Sequence, residues 1–235
     1  MKSFVLSADL LGFKKMVKNL NEEELDQRLN VWIKLVEELI REFKITRFKM
    51  FSDTLVVSTD PTKEGFGSLI KFSKAALERG IIKSFPIRGG IAYGDISWGK
   101  EIISGKALIK AYEIEKSQEW IGITCENGIP HLEDYWSIEN LITYPTPKKQ
   151  NDVIELHPII SWEIPKLNDL TKILTKGGLA KKGESLYWDF GHKTSNTIQL
   201  KFYKEILEKN KKDPSKFLGI LPAELIEIEL EKHPN

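Results

Sequence analysis

Two acids stand where this chain has chemistry to offer. Asp9 closes the apolar run of "KSFVLSADLLGF", and Asp53 sits between the two apolar runs of "ITRFKMFSDTLVVSTD". Carboxylates at the ends of buried strands suit a hard divalent cation such as Mg²⁺, which takes oxygen ligands, commonly one or two carboxylates plus substrate phosphates. The same residue type also suits a helix cap and a turn, and either acid taken singly reads most simply that way. The pair argues differently. In a split β-α-β topology the first strand and a later hairpin are neighbours in one sheet, which brings the two carboxylates together although 44 positions separate them.

The elements that must position them follow from hydrophobic period. Residues 3–8 read as a short buried strand, with a helical pattern from about Leu11. In "NEEELDQRLNVWIKLVEELIREF" the residues Leu25, Leu29, Trp32, Val36, Leu39, Ile40 and Phe43 recur at spacings of three and four, one stripe of a long amphipathic helix. A β-hairpin bent at Ser52 and Asp53 comes next, then a helix over "GFGSLIKFSKAALERG" ended by Gly80. "PIRGGIAYGDISWG" reads as a strand interrupted by glycines, residues 105–119 as a helix and "WIGITC" as a strand. Beyond Gly128 we expect a short helix near 131–142 and two extended segments, "NLITYP" and "DVIELHPIISWEI", paired across "TPKKQND". Helical pieces follow in "SNTIQLKFYKEILEKN" and "PAELIEIELEK". The order predicted for the first 125 residues is β-α-β-β-α-β-α-β.

Composition excludes several classes. With 235 residues the chain can bury a large core. Thirty-five Lys and Arg against 34 Asp and Glu give a net charge of +1, so neither nucleic acid nor an acidic membrane is expected as a bulk electrostatic partner. The single Cys125 rules out an internal disulfide and a cysteine-built zinc site. No apolar run approaches the roughly 18 residues of a membrane span, and Asp9 breaks the run a signal peptide would need, so a cytoplasmic location is expected. His131, His157, His192 and His233 lack metal spacing, and no Ser-His-Asp order or phosphate-binding P-loop is present.

Four segments, in order, resemble the class III nucleotidyl cyclases. "SADLLGF" is similar to that family's strand-acid-Gly-Phe segment and "KMFSDTLVV" to its Lys-x-x-Gly-Asp hairpin. "IRGGIAYGDI" resembles its Arg-x-Gly-Ile-x-x-Gly strand, and "GKALIKAYEIEKS" the helix written Gly-x-x-Val-Asn-x-Ala-x-Arg-x-Glu. The wording of "DLLGF", "FSDTLVVS", "RGGIAYGD" and "AYEIE" is closest to the stand-alone bacterial cyclases of anti-phage pyrimidine cyclase (Pycsar) systems. The resemblance implies an α+β fold, a ferredoxin-like or palm-like antiparallel sheet with helices packed on one face. It implies a catalytic domain over residues 1–128 and a C-terminal part, 129–235, of unassigned role. It also implies a homodimer with active sites across the interface. The helical stripe at 25–43 and the part after 125 are candidates for dimer contacts.

Carried over by position, the resemblance implies two Mg²⁺ or Mn²⁺ ions held by Asp9, Asp53 and the Leu10 carbonyl. The implied substrate is a nucleoside triphosphate, CTP or UTP before ATP, expected to be cyclised to a 3′,5′-cyclic mononucleotide. The amides of Leu11, Gly12 and Phe13, at a helix start, would cradle the triphosphate. Lys49 would read the base, although an outward strand lysine is an equal reading; its ammonium donates to a ring acceptor of adenine or cytosine. Arg88 would reach phosphate or pair with an acid, and Tyr112 would stack on a base or lie in the core. The pattern breaks at three places. Ile109 and Glu113 stand at the family's Asn and Arg, and Ile102 at the partner acid of the base-reading Lys. A missing cation at a transferring phosphoryl group removes several kcal/mol of barrier lowering. The alternative is therefore a catalytically degenerate homologue that binds nucleotide or serves as a scaffold.

Overall fold

The computed structural model describes residues 1–118, 121–136, 140–146, 154–162 and 217–218. Its centre is β1 (Lys2–Leu10), every residue of which after Lys2 is buried. Alternation sorts that strand between two faces: Phe4, Leu6, Ala8 and Leu10 join the large core, whereas Val5 joins a smaller one. Ser7 and Asp9 have the parity of Val5, so the acid projects on the side of the smaller core.

After β1 come α1 (Phe13–Asn19) and α2 (Glu22–Glu42), the second opened by a reciprocal capping box between Asn21 and Glu24. The hairpin β2 (Arg47–Phe51) and β3 (Thr54–Thr59) turns at Ser52 and Asp53 as expected, with Ser52 at φ +55°. Next is α3 (Lys63–Ile82), capped by Thr62. Gly80 does not end this helix. It lies buried within it, and its missing side chain admits the Phe85 carbonyl, which an added Cβ would meet at 2.7 Å. β4 (Ile87–Asp95) is continuous through its glycines, followed by the small hairpin β5 (Ser97–Trp98) and β6 (Ile103–Ser104). Then come α4 (Lys106–Ser117) and β7 (Gly122–Cys125). The expected helix at 131–142 reduces, among the described residues, to one 3₁₀ turn, Glu133–Tyr135. β8 (Leu141–Pro145) and β9 (Ile154–Ile160) are antiparallel as predicted, and β10 (Phe217–Leu218) lies parallel to β9. The helical pieces expected in 195–210 and 222–232 lie outside the described residues.

The main sheet runs β10-β9-β7-β4-β1-β3-β2, with β8 on β9. β1 is antiparallel to both β3 and β4, and β7 is parallel to β4. Helices cover both faces of the sheet, not one. Phe66, Leu69 and Phe72 of α3 and Trp32, Leu35 and Leu39 of α2 seal the large core, whereas Ala107 and Ala111 of α4 pack with Val5 and Ala92 on the other side. The reason is in α4 itself, whose small residues fit a sheet surface already narrowed by Ala92 and two glycines. On that second face α4 packs chiefly on β4, β1 and β7.

Candidate active site

Strand register builds the site. Asp9 is opposite Thr54 on one side and Arg88 on the other, so all three side chains share the α4 face. The Leu10 amide donates to the Asp53 carbonyl at 3.3 Å, which places the hairpin turn against the end of β1. The two acids predicted to converge therefore lie on adjoining backbone. The pairing does not rest on a helix cap: Gly12, at φ +85°, caps α1 with no side-chain hydrogen bond.

Around Asp9 the charges alternate. Arg88 donates to Asp9 Oδ2 at 2.9 Å and to the Gln118 carbonyl at 2.9 Å, and its guanidinium lies 3.7 Å from Glu115 Oε1. Lys116 donates to the same Asp9 Oδ2 at 3.0 Å and pairs with Glu115 Oε1 at 3.0 Å. Ser7 donates to Glu115 Oε2 at 2.8 Å. Asp9, Arg88 and Glu115 are buried, whereas the Lys116 side chain is 40% exposed, so Arg88 holds Asp9 from within and Lys116 covers it from the solvent side. Burial, then the charge of Asp9, raises the Glu115 carboxyl above its ordinary value against the hydrogen bonds from Lys116 and Ser7. For Lys116, partial burial lowers the ammonium, but the Glu115 and Asp9 carboxylates outweigh it and the value is raised.

Buried polar atoms of the cluster remain without a hydrogen bond among the described residues, Arg88 Nε and Asp9 Oδ1 among them. Asp9 Oδ1 is buried and has no hydrogen-bond partner among the described residues. A carboxylate oxygen rarely stays so, because an unpaired buried acceptor costs about 1–3 kcal/mol or more. Its position beside the Asp53 turn is one that a hard cation would satisfy. Among the described residues no three His, Cys, Asp or Glu side chains cluster as a ready metal site. A cation held by Asp9 would therefore have to complete its ligand set with oxygens other than a cluster of side-chain carboxylates.

The remaining sequence-predicted residues divide. Arg88, expected to reach phosphate or to pair with an acid, is found doing the second: it is 5% exposed and hydrogen-bonded to Asp9 and the Gln118 carbonyl. The Leu11 amide, expected to face phosphate, donates to the Pro86 carbonyl at 2.9 Å, and the Leu11 and Phe13 side chains lean on the large core. Lys49 is on the α4 face of β2, and its ammonium is held by the Lys100 carbonyl in the β5–β6 loop. Tyr112 is 49% exposed and lies on the outer side of α4 with Ile109, not in the core. Its ring centroid is 5.3 Å from the Lys116 ammonium. Glu115 and Lys116 were not anticipated. Helical spacing carried the signal for Glu115, which falls four residues after the buried Ala111 and so had to bring a carboxylate into the α4–sheet contact.

The mostly antiparallel sheet with helices packed on it matches the fold of solved class III cyclases. Among solved structures, the adenylyl cyclase CyaB from P. aeruginosa is similar with a TM-score of 0.54 at 16% identity, over 68% of this chain and 92% of that one. The adenylate/guanylate cyclase/hydrolase from Silicibacter pomeroyi gives 0.50 at 19% identity, over 71% and 98%. The guanylate cyclase domain of RhGC from Catenaria anguillulae, solved in complex with GTP, gives 0.52 at 13%, over 68% and 96%. No protein-family model matches the chain, and no curated protein matches it.

Proposed function

We propose that this chain is a metal-dependent nucleotidyl cyclase that converts a nucleoside triphosphate, CTP or UTP in preference to ATP, to a 3′,5′-cyclic mononucleotide and pyrophosphate. The observation that carries the reading is the buried, partnerless Asp9 Oδ1 beside the Asp53 turn, on the central strand of a class III cyclase fold. Asp9, Asp53 and the Leu10 carbonyl would hold two Mg²⁺ or Mn²⁺ ions. Bound there, the ions would supply charge neutralisation at the α-phosphate and its neighbours. The chain's own residues do the rest. Arg88 fixes the Asp9 carboxylate through Oδ2 and leaves Oδ1 directed elsewhere. Gly12 and Phe13, at the start of α1, admit close approach of phosphate oxygens. Lys49, steadied by the β5–β6 loop, offers the base a donor, and Tyr112 offers it a ring face. We extend the proposal to a cytoplasmic role in antiviral defence, which the resemblance to anti-phage cyclases supports.

A second reading, a nucleotide-binding or scaffold protein that does not cyclise, is favoured by α4. Its outer stripe presents Ile109, 58% exposed, and Glu113 in place of an amide and a guanidinium. The two readings separate by product. Incubation with ATP, GTP, CTP and UTP in turn, with Mg²⁺ or Mn²⁺, should yield one cyclic product by chromatography, absent from Asp53→Asn. Absence of product from all four, with calorimetry still detecting metal-dependent triphosphate binding, selects the second.

A further inference from the structure

Lys116 is the only described cation that reaches Asp9 from the solvent side. Its ammonium is 3.0 Å from Asp9 Oδ2 and 3.0 Å from Glu115 Oε1, on a side chain that is 40% exposed. Arg88, the other cation at Oδ2, is sealed beneath, with a side chain 6% exposed. The four groups are two carboxylates and two cations, so the charge of Asp9 is balanced by its neighbours. A divalent ion ligated by Asp9 would lie within a few ångströms of the ammonium, and like charges so close, in a partly desolvated site, repel strongly. Arg88 has no room to retreat. Lys116, on a flexible four-carbon stem at the rim, can swing out over the ring of Tyr112, to which it is already apposed at 5.3 Å.

We propose that Lys116 is a resident counter-ion of Asp9 that a divalent cation must displace, so that this lysine sets the metal affinity of the site. The inference rests on the reading of Asp9 as a cation ligand but not on turnover. Lys116 acts through Asp9 and is a positioning residue. No covalent step is involved.

The test is Mn²⁺ alone, titrated by electron paramagnetic resonance or calorimetry, without nucleotide. Lys116→Met should bind Mn²⁺ about tenfold more tightly than the unaltered chain, the scale expected for removing a charge in contact with a carboxylate. Lys116→Arg, which keeps the cation, should return the affinity to the original value. Lys110→Met makes the same charge change on α4 where the ammonium contacts Glu126 instead, and should shift affinity by less than about twofold, as for a screened surface charge. Circular dichroism checks that each variant folds. If Lys116→Met leaves affinity unchanged while Asp9→Asn abolishes binding, the counter-ion role falls and Asp9 remains a ligand. Equal tightening by Lys110→Met also overturns it, because the effect would then be general electrostatics. If Mn²⁺ binds none of these proteins, the cation site itself falls and the inference with it.

Discussion

Glu115 is the residue whose placement says most about how the site is balanced. A carboxylate with its side chain 1% exposed, beside another carboxylate, is costly unless cations and donors surround it, and here Arg88, Lys116 and Ser7 do so. Its carboxyl is raised in the folded chain, chiefly by burial, so the folded state holds the proton more readily than the unfolded one. The stability it contributes is complete below the ordinary carboxylate value and is lost as pH climbs through the raised one. Glu115→Gln, which cannot titrate, should lack that decline. Urea unfolding from about pH 4 to about pH 8 should show the original chain losing stability relative to Glu115→Gln across the lower part of the range. Asp9 and Asp53 were legible in the sequence because each interrupts an apolar strand pattern with an acid. Lys116 was not, because a lysine near the end of a helix looks like solvated surface until the partner strand is in place.

At the scale of elements, the contact between α4 and β4 decides whether the cluster forms. A Cβ on Gly90 would lie 2.2 Å from the Ala111 carbonyl and 2.8 Å from the Ile114 Cβ, so only a bare backbone lets the helix lie this close. That approach carries Glu115 to Ser7 and Lys116 to Asp9. Gln118 then locks the helix end, donating to the Gly89 carbonyl at 3.0 Å and accepting from Thr124 at 2.8 Å. Gly90→Val should cost about 1–3 kcal/mol, the usual range for overpacking, in denaturant unfolding. Its Mn²⁺ affinity should change as well, because the lifted helix withdraws Lys116. The main-sheet strands and the long helices through β7 were readable from period, as the 21-residue α2 shows, whereas the break between α1 and α2 and the β5–β6 hairpin were not. The two-faced arrangement was not. Small residues on α4 mark it as closely packed but do not say against which side of the sheet, and Gly80 reads as a helix stop because its contact with Phe85 is tertiary.

For the molecule as a whole, the exposed apolar groups on the α4 side of the sheet carry the next expectation. Phe51, at 83% exposed, Ile102, at 71%, and Ile109, at 58%, stand on that side of the sheet with Tyr112. Exposed apolar groups gathered around a site are what a subunit interface covers. The proposed homodimer would bury them and place each partner's edge beside the other's Asp9. Phe51→Asp should then shift sedimentation from dimer to monomer with the far-ultraviolet dichroism unchanged, and a monomer before substitution would refute the assignment. No helix among the described residues is long and apolar enough to cross a membrane. The glycine seat beneath α4 also bears on how the cluster assembles. Asp9 and Arg88 lie 79 positions apart, Asp9 and Lys116 lie 107 apart, and Ser7 and Glu115 lie 108 apart, so none of these contacts forms locally. Closing loops of that length costs chain entropy that only the finished contacts repay. Until α4 descends onto Gly90, the charges of the cluster stay hydrated and the sheet beneath them stays wet. Seating α4 on Gly90 is thus what removes the cluster from water, and a chain unable to make that contact would keep the four charges hydrated.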